Sequence, residues 1–272
     1  MRPCTDRQGA FSLIEVVVAI CVTLILAGML IPLAGKAINQ QREIKTRESL
    51  KTAFEGMFGA RDRRVANMRA DFGFEPTANL TDLSAMVLSA NAGTTLPQFG
   101  YNTANLLWGW NGPYWQGSID SNTTTTSRPL DAWGRPMRLV VTTVSAINYY
   151  QVQSSGADRT FGTTDDLVYP AVPAAEVSYN ATLIIVVNKN SGSTSYTGNC
   201  SLIYLNGTNT PTNNIPGTSP NIANNPNPQV FSWNVAAGGM KVTLAPTTGT
   251  FTTVYLSLDL LPGETRQIDL YI

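Results

Sequence analysis

Residues 16–34 run for nineteen positions without a charged side chain, behind a lone carboxylate at Glu15. At ~1.5 Å per helical residue they cover ~28 Å, close to the ~30 Å hydrocarbon core of a bilayer, which predicts a membrane-crossing helix. Beyond them the pattern turns amphipathic. Ile38, Ile44, Leu50, Phe54, Met57, Phe58, Val65 and Met68 recur near helical spacing. Lys36, Arg42, Lys45, Arg47, Lys51, Arg61 and Arg63 alternate with Glu43, Glu48, Glu55 and Asp62, the pattern of a solvated helix face. The spacing predicts one helix from about Phe11 to about Ala70, roughly 90 Å long, with its first half in lipid and its second half carrying a folded domain. Pro32 can kink this helix without ending it, because apolar neighbours can cover the freed carbonyl.

Gly73 and Pro76 break the helical pattern. Residues 81–88 predict a short helix capped by Asn79 or Thr81, and 92–105 a loop. The aromatic stretch 108–115 reads as large rings filling a small core beside a turn at Gly112-Pro113, in preference to a sugar-stacking surface. A tight turn over 129–137 leads into a β-branched run, 138–144, and a second run, 148–153, pairs with it as a hairpin packed on the long helix. Pro170 and Pro173 among small residues read as a linker, 170–180. Six apolar runs follow, at 181–187, 200–205, 230–235, 240–245, 252–258 and 266–272, separated by Asn, Gly, Pro and Thr, with a turn at 261–264. Strands at this spacing predict a β-sandwich of immunoglobulin-like type. The fold class is α+β: a long N-terminal helix on a small antiparallel sheet, then an all-β domain over 181–272.

Composition narrows the chemistry. The 272 residues hold 18 basic and 18 acidic side chains, only 13% of residues are charged, and no His is present. That excludes an electrostatic footprint for nucleic acid, Ser-His-Asp or Cys-His catalysis and the usual zinc sites, and no catalytic set of an enzyme is visible. Three cysteines do not form a disulfide framework. Cys4 precedes the span, Cys21 lies within it, and Cys200 reads as a buried free thiol on a strand. Arg2 and Arg7, partly offset by Asp6, favour a cytoplasmic N-terminus, with the remainder in the periplasm.

One loop carries candidate metal chemistry. Asp158, Asp165 and Asp166 fall within nine residues, with Gly156 and Gly162 allowing tight turns. Calcium takes six to eight oxygens, which these carboxylates and backbone carbonyls such as those of Ser155 and Thr160 could supply. The spacing is not that of an EF-hand, and a solvated acidic turn fits it too.

The stretch G-A-F-S-L-I-E-V-V-V-A-I, residues 9–20, resembles the N-terminal signature of type IV pilins and type II secretion pseudopilins. The resemblance implies cleavage of a 1–10 leader by a prepilin peptidase between Ala10 and Phe11, with N-methylation of Phe11. Ala10 stands where the family usually has Gly, which leaves cleavage after Gly9 open. The new amine on Phe11 of one subunit would pair with Glu15 of its neighbour, since both charges are costly in lipid when alone. A secretory signal cleaved near 33–35, a lipoprotein signal at Cys21 and a plain anchor are the competing readings. The first is disfavoured by the length of the apolar run and the second by the bulk of Ile20.

Further motifs, W-N-G-P-Y-W, L-D-A-W-G-R-P-M and S-S-G-A-D-R-T-F-G-T-T-D-D-L, occur in the order seen in the major pseudopilin. The similarity covers roughly residues 9–169. It implies a membrane half over 11–34, a periplasmic pseudopilin domain over 35–169, and calcium held by Asp158, Asp165 and Asp166. Ala132 and Arg159 depart from the family's Pro and Gly. The implied function is that of a structural filament subunit of a type II secretion-like machine in the inner membrane, helping to move cargo across the outer membrane. A type IV pilin for adhesion or motility is the alternative. The implied partners are further copies of the chain, other pilins or pseudopilins, the prepilin peptidase and an inner-membrane assembly platform.

Overall fold

The computed structural model describes residues 13–60, 67–72, 83, 86–87, 90–91, 94–95, 99–102, 105–120, 127–175, 179–188, 197–205, 212–213, 228–248 and 252–272. They fall into two compact units, Met1–Ile44 and Lys45–Ile272. Helix α1, Leu13–Phe58, runs for 46 residues and contains Pro32 without a break.

Among the described residues the first unit is the helix alone, and its side chains from Leu13 to Arg42 are exposed. In the second unit the same helix contributes Thr46, Leu50, Ala53, Phe54, Met57 and Phe58 to the interior. It ends twelve residues earlier than its amphipathic pattern predicts. Gly59 adopts φ +85° and its N–H donates to the Glu55 carbonyl at 2.7 Å, a left-handed cap that stops the helix. A Cβ at Gly59 would lie 2.8 Å from Pro262 Cγ, so only glycine fits there. The apolar spacing resumes in a separate short helix, α2, Met68–Phe72, with Met68 and Phe72 buried. The predicted helix over 81–88 lies outside the described residues except for Leu83, Met86 and Val87. These three are buried, and the Met86 N–H donates to the Leu83 carbonyl as a single tight turn.

Short strand pairs β1–β2 (Ala90–Asn91, Thr94–Thr95) and β3–β4 (Gly100–Tyr101, Leu107–Trp108) occupy the region expected as loop. An antiparallel sheet follows in the order β5-β6-β7: Arg138–Val144, Ile147–Ser154 and Leu167–Ala175. Strand β6 buries Tyr150, Val152 and Ser154, the period-2 pattern of a strand with one inward face. Phe58 of α1 lies 4.7 Å from the Tyr150 ring and 5.4 Å from Tyr179, and Phe54 lies 5.7 Å from Tyr169. Tyr114 and Trp115 are buried in the same cluster, with Trp108 and Trp110 packed against it, so the aromatic stretch is core.

Strand β7 runs into the expected linker: Ala174 and Ala175 pair with β6. Val152 opposes Tyr169 and Tyr150 opposes Ala174, leaving 170–173 bulged opposite the single residue Gln151. Prolines, which lack an N–H to donate, fit such a bulge on an edge strand. The Gln151 side-chain amide donates to the Pro170 carbonyl at 2.9 Å and meets part of the lost pairing.

The remaining strands form two further sheets. One has the order β11-β8-β14: Gln229–Ala236, Asn180–Asn188 and Thr265–Tyr271, with β14 parallel to β8. The other has the order β10-β9-β12-β13: Thr212–Asn213, Thr197–Tyr204, Gly238–Thr248 and Val254–Leu260. Leu183, Ile185, Phe231 and Trp233 from the first share one apolar cluster with Leu202, Val242 and Leu244 from the second. All six predicted C-terminal strands are present. Cys200 is free and buried on β9, and burial pushes its thiol up to about 12.

Candidate functional site

The sequence places candidate chemistry at two points, the head of α1 and the acidic loop. Ala10 and Phe11 lie outside the described residues. Glu15 stands exposed in the first turn of α1, where a negative charge suits the positive end of the helix dipole. The large apolar side chains from Leu13 to Leu33 are each 46–83% exposed. A continuous apolar cylinder of this kind is not stable against water. By length and composition α1 is long and apolar enough to cross a membrane.

The acidic loop joins β6 to β7. Its three carboxylates do different things. The Asp158 N–H donates to Asp165 Oδ2 at 2.9 Å, and Thr163 Oγ1 donates to Asp165 Oδ1 at 2.7 Å. The Thr163 bond first, and then the Asp158 N–H, hold the Asp165 carboxyl below its usual range. Asp158 Oδ1 accepts the Thr160 N–H at 2.8 Å. Asp166 Oδ2 accepts the Gly162 N–H at 2.6 Å and the Gln153 side-chain amide at 2.7 Å, while Asp166 Oδ1 is buried with no hydrogen-bond partner. Among the described residues no three acidic, Cys or His side chains stand together as a metal cluster. A hard cation also takes backbone carbonyls, however, and a buried carboxylate oxygen lacking a donor is the kind of atom a cation satisfies. Asp166 Oδ1 is therefore the loop atom that a cation could meet, while both oxygens of Asp165 hold donors of the loop itself.

Two residues set the turn. Gly156 has φ +63°, and a Cβ there would come within 2.3 Å of the Asp165 carbonyl oxygen. Arg159, at φ +67°, takes a left-handed backbone of the kind that favours glycine. The loop is flanked by Arg138, whose guanidinium carbon sits 3.9 Å from the centre of the Phe161 ring.

Sequence reasoning passed over Asp131. It is 4% exposed and ties the turn, the loop and the helix together. Its Oδ1 accepts the N–H groups of Trp133 and Arg135, both at 2.9 Å, and its Oδ2 accepts the Ser154 hydroxyl at 2.6 Å. Ser154 in turn accepts the Gly156 N–H, and the adjacent Ala132 N–H donates to Thr46 Oγ1 on α1 at 3.1 Å. The signal available in the sequence was an acid two residues before Trp and three before Gly, the spacing of an Asp that caps its own turn.

No protein-family model matches this chain, and no curated protein matches it. Among solved structures, one of a protein provisionally assigned to cell adhesion, from Bacteroides fragilis, overlaps 72% of this chain and 87% of its own, with 12% sequence identity and a TM-score of 0.25. A TM-score of that size does not establish a shared fold.

Proposed function

We propose that the chain is a pseudopilin-type filament subunit of a type II secretion-like machine, held in the inner membrane by residues 11–34 with its folded part in the periplasm. The observation that carries this reading is helix α1, Leu13–Phe58, whose charge-free apolar run from Val16 to Ala34 is exposed, while its later residues Leu50, Phe54 and Phe58 are buried. Such a helix is stabilised by lipid or by the same helix of other copies. Side-by-side packing of these helices would build a fibre. Glu15, costly in lipid unless paired, would take the Phe11 amine of the neighbouring subunit and so set the register. The subunit acts mechanically, with no reaction of its own. Calcium belongs to this reading as a stabiliser of the loop beside β7, held by Asp166, Asp158 and Asp165 with loop carbonyls.

The test is the intact mass of the protein from wild-type and prepilin-peptidase-deficient cells. The expected result is peptidase-dependent loss of residues 1–10 and one added methyl on Phe11. An uncut chain in both backgrounds would overturn the filament reading in favour of a plain anchor.

A further inference from the structure

Strand β5 ends the sheet β5-β6-β7, so one of its edges has no strand partner among the described residues. The turn decides which backbone groups face that edge. Ser145 and Ala146, with φ of +51° and +64°, form a two-residue hairpin turn, and Val144 pairs with Ile147 across it. The pair closing such a turn exchanges both hydrogen bonds, and the ladder alternates from there. Val144, Thr142, Val140 and Arg138 therefore bond to β6, while Thr143, Val141 and Leu139 turn their N–H and C=O groups outward. Met137 continues the outward set, since its N–H donates to the Pro129 carbonyl at 3.0 Å, away from β6. Beyond Met137 no described segment takes up the edge, and Thr142, Thr143 and Val144 are exposed.

A cleft of about 540 Å³ lies along this edge. Residues 136–141 line it without interruption, joined by Arg128 and Phe161, and among the described residues none of β6 or β7 does. The cation that decides its chemistry is Arg138. The guanidinium lies over the Phe161 ring and donates through Nε and Nη2 to Gln153 Oε1, at 3.0 and 2.8 Å. Both partners are neutral, and Nη1 meets no acceptor among the described residues. No described carboxylate lines the cleft. Those of the adjoining loop, Asp158, Asp165 and Asp166, accept hydrogen bonds from the loop itself and, at Asp166, from Gln153. Arg138 thus holds a positioned positive charge beside a row of outward backbone donors and acceptors.

We propose that the edge of β5 docks an extended segment of another polypeptide carrying Asp or Glu, which pairs with the outward groups of Leu139 and Val141 and sets its carboxylate on Arg138. Backbone pairing to the edge supplies affinity. A carboxylate on the added strand, directly across from Arg138, is within reach of a guanidinium that Phe161 and Gln153 already hold in place, and this contact selects the side chain. The inference does not depend on the filament reading, since it uses only the unit Lys45–Ile272.

The test uses the full chain in detergent micelles and fluorescence anisotropy of labelled, end-blocked heptapeptides of alternating Thr and Val. One peptide has a central Glu, a second has Lys in that place, and a third is the Glu peptide N-methylated on every amide. The Glu peptide is expected to bind more tightly than the other two by about tenfold or more. Arg138→Gln should bring the Glu and Lys peptides to nearly equal binding while keeping the melting temperature within a few degrees. Equal binding of the two peptides by the native protein, or a preference for Glu that survives Arg138→Gln, overturns the proposal. Undiminished binding of the N-methylated peptide, or full competition by a single end-blocked glutamate, would mean a small-anion pocket and would also overturn it. So would failure of every peptide to bind.

Discussion

Asp71 shows how one residue can work against the stability of the fold that holds it. Its Oδ2 accepts the Tyr114 hydroxyl at 2.7 Å, and its carboxyl is pushed up from 3.8 to about 6, chiefly by burial. A carboxyl with a raised folded pKa binds its proton more tightly in the folded than in the unfolded protein. The associated stability is present below the unfolded value and is lost as pH rises through about 6. Asp71→Asn keeps an acceptor for Tyr114 and removes the charge. The variant should melt at a higher temperature than the native protein at pH 7.5 and at nearly the same temperature at pH 4.5, which thermal melts at the two pH values would check. Arg159 and Gly156 make a second pair of cases. Both have positive φ, but only at Gly156 would a Cβ strike backbone. Gly156→Ala should therefore destabilise by at least about 1–2 kcal/mol, whereas Arg159→Gly should be neutral or slightly stabilising, because relief of the left-handed strain offsets the added chain entropy of glycine. A urea titration of both variants distinguishes a backbone clash from a backbone preference. Asp131 was legible only in part: its place two residues before Trp133 marks an Asp that caps its own turn, but nothing near it in sequence announces the Ser154 hydroxyl that β6 brings to it.

At the scale of elements, the strands were legible wherever β-branched and aromatic residues alternate. β6, with Tyr150 and Val152 inward, and β11, with Phe231, Trp233 and Val235 inward, follow period 2 closely. The end of α1 was not legible, because Met68 continues the helical spacing although it belongs to α2; a single glycine and its neighbour Pro262 decide the matter. Strand β7 was hidden by Pro170 and Pro173, which read as a break until the bulge opposite Gln151 is seen. The acidic loop between β6 and β7 was legible as a set of carboxylates, but not in its division of labour. Asp158 and Asp165 already hold the loop's own N–H and hydroxyl groups, and Asp166 alone keeps a buried oxygen without a donor. If calcium occupies the loop, adding it in excess of the dissociation constant raises the melting temperature. A hundredfold excess corresponds to about 2.7 kcal/mol. Asp166→Asn should abolish that rise. A melting curve that calcium leaves unchanged in the native protein would remove the metal from the account.

At the scale of the molecule, the chain joins a helix whose apolar side chains are exposed to a unit that holds its own interior. Lys45–Ile272 is compact, yet it contains two apolar clusters, one around Phe54, Phe58 and Tyr150 and one around Leu183, Trp233 and Val242. The question is whether these melt as one body. Their junction is polar and closely fitted: the buried Arg69 side chain donates to Asn180 Oδ1 at 2.7 Å, and a Cβ on Gly59 would lie 2.8 Å from Pro262 Cγ. Separating the clusters would expose Arg69 and strip Asn180 Oδ1 of its donor, while burial of α2 between them would be lost. A polypeptide of residues 45–272 should therefore be soluble and unfold in a single cooperative transition, with tryptophan fluorescence and far-ultraviolet circular dichroism coinciding. Arg69→Leu should split the transition in two, because it removes the charged donor and leaves the apolar clusters themselves intact. Two separate transitions in the unsubstituted polypeptide would mean that the C-terminal sheets form an independent body, joined to the helix-bearing part only through the chain.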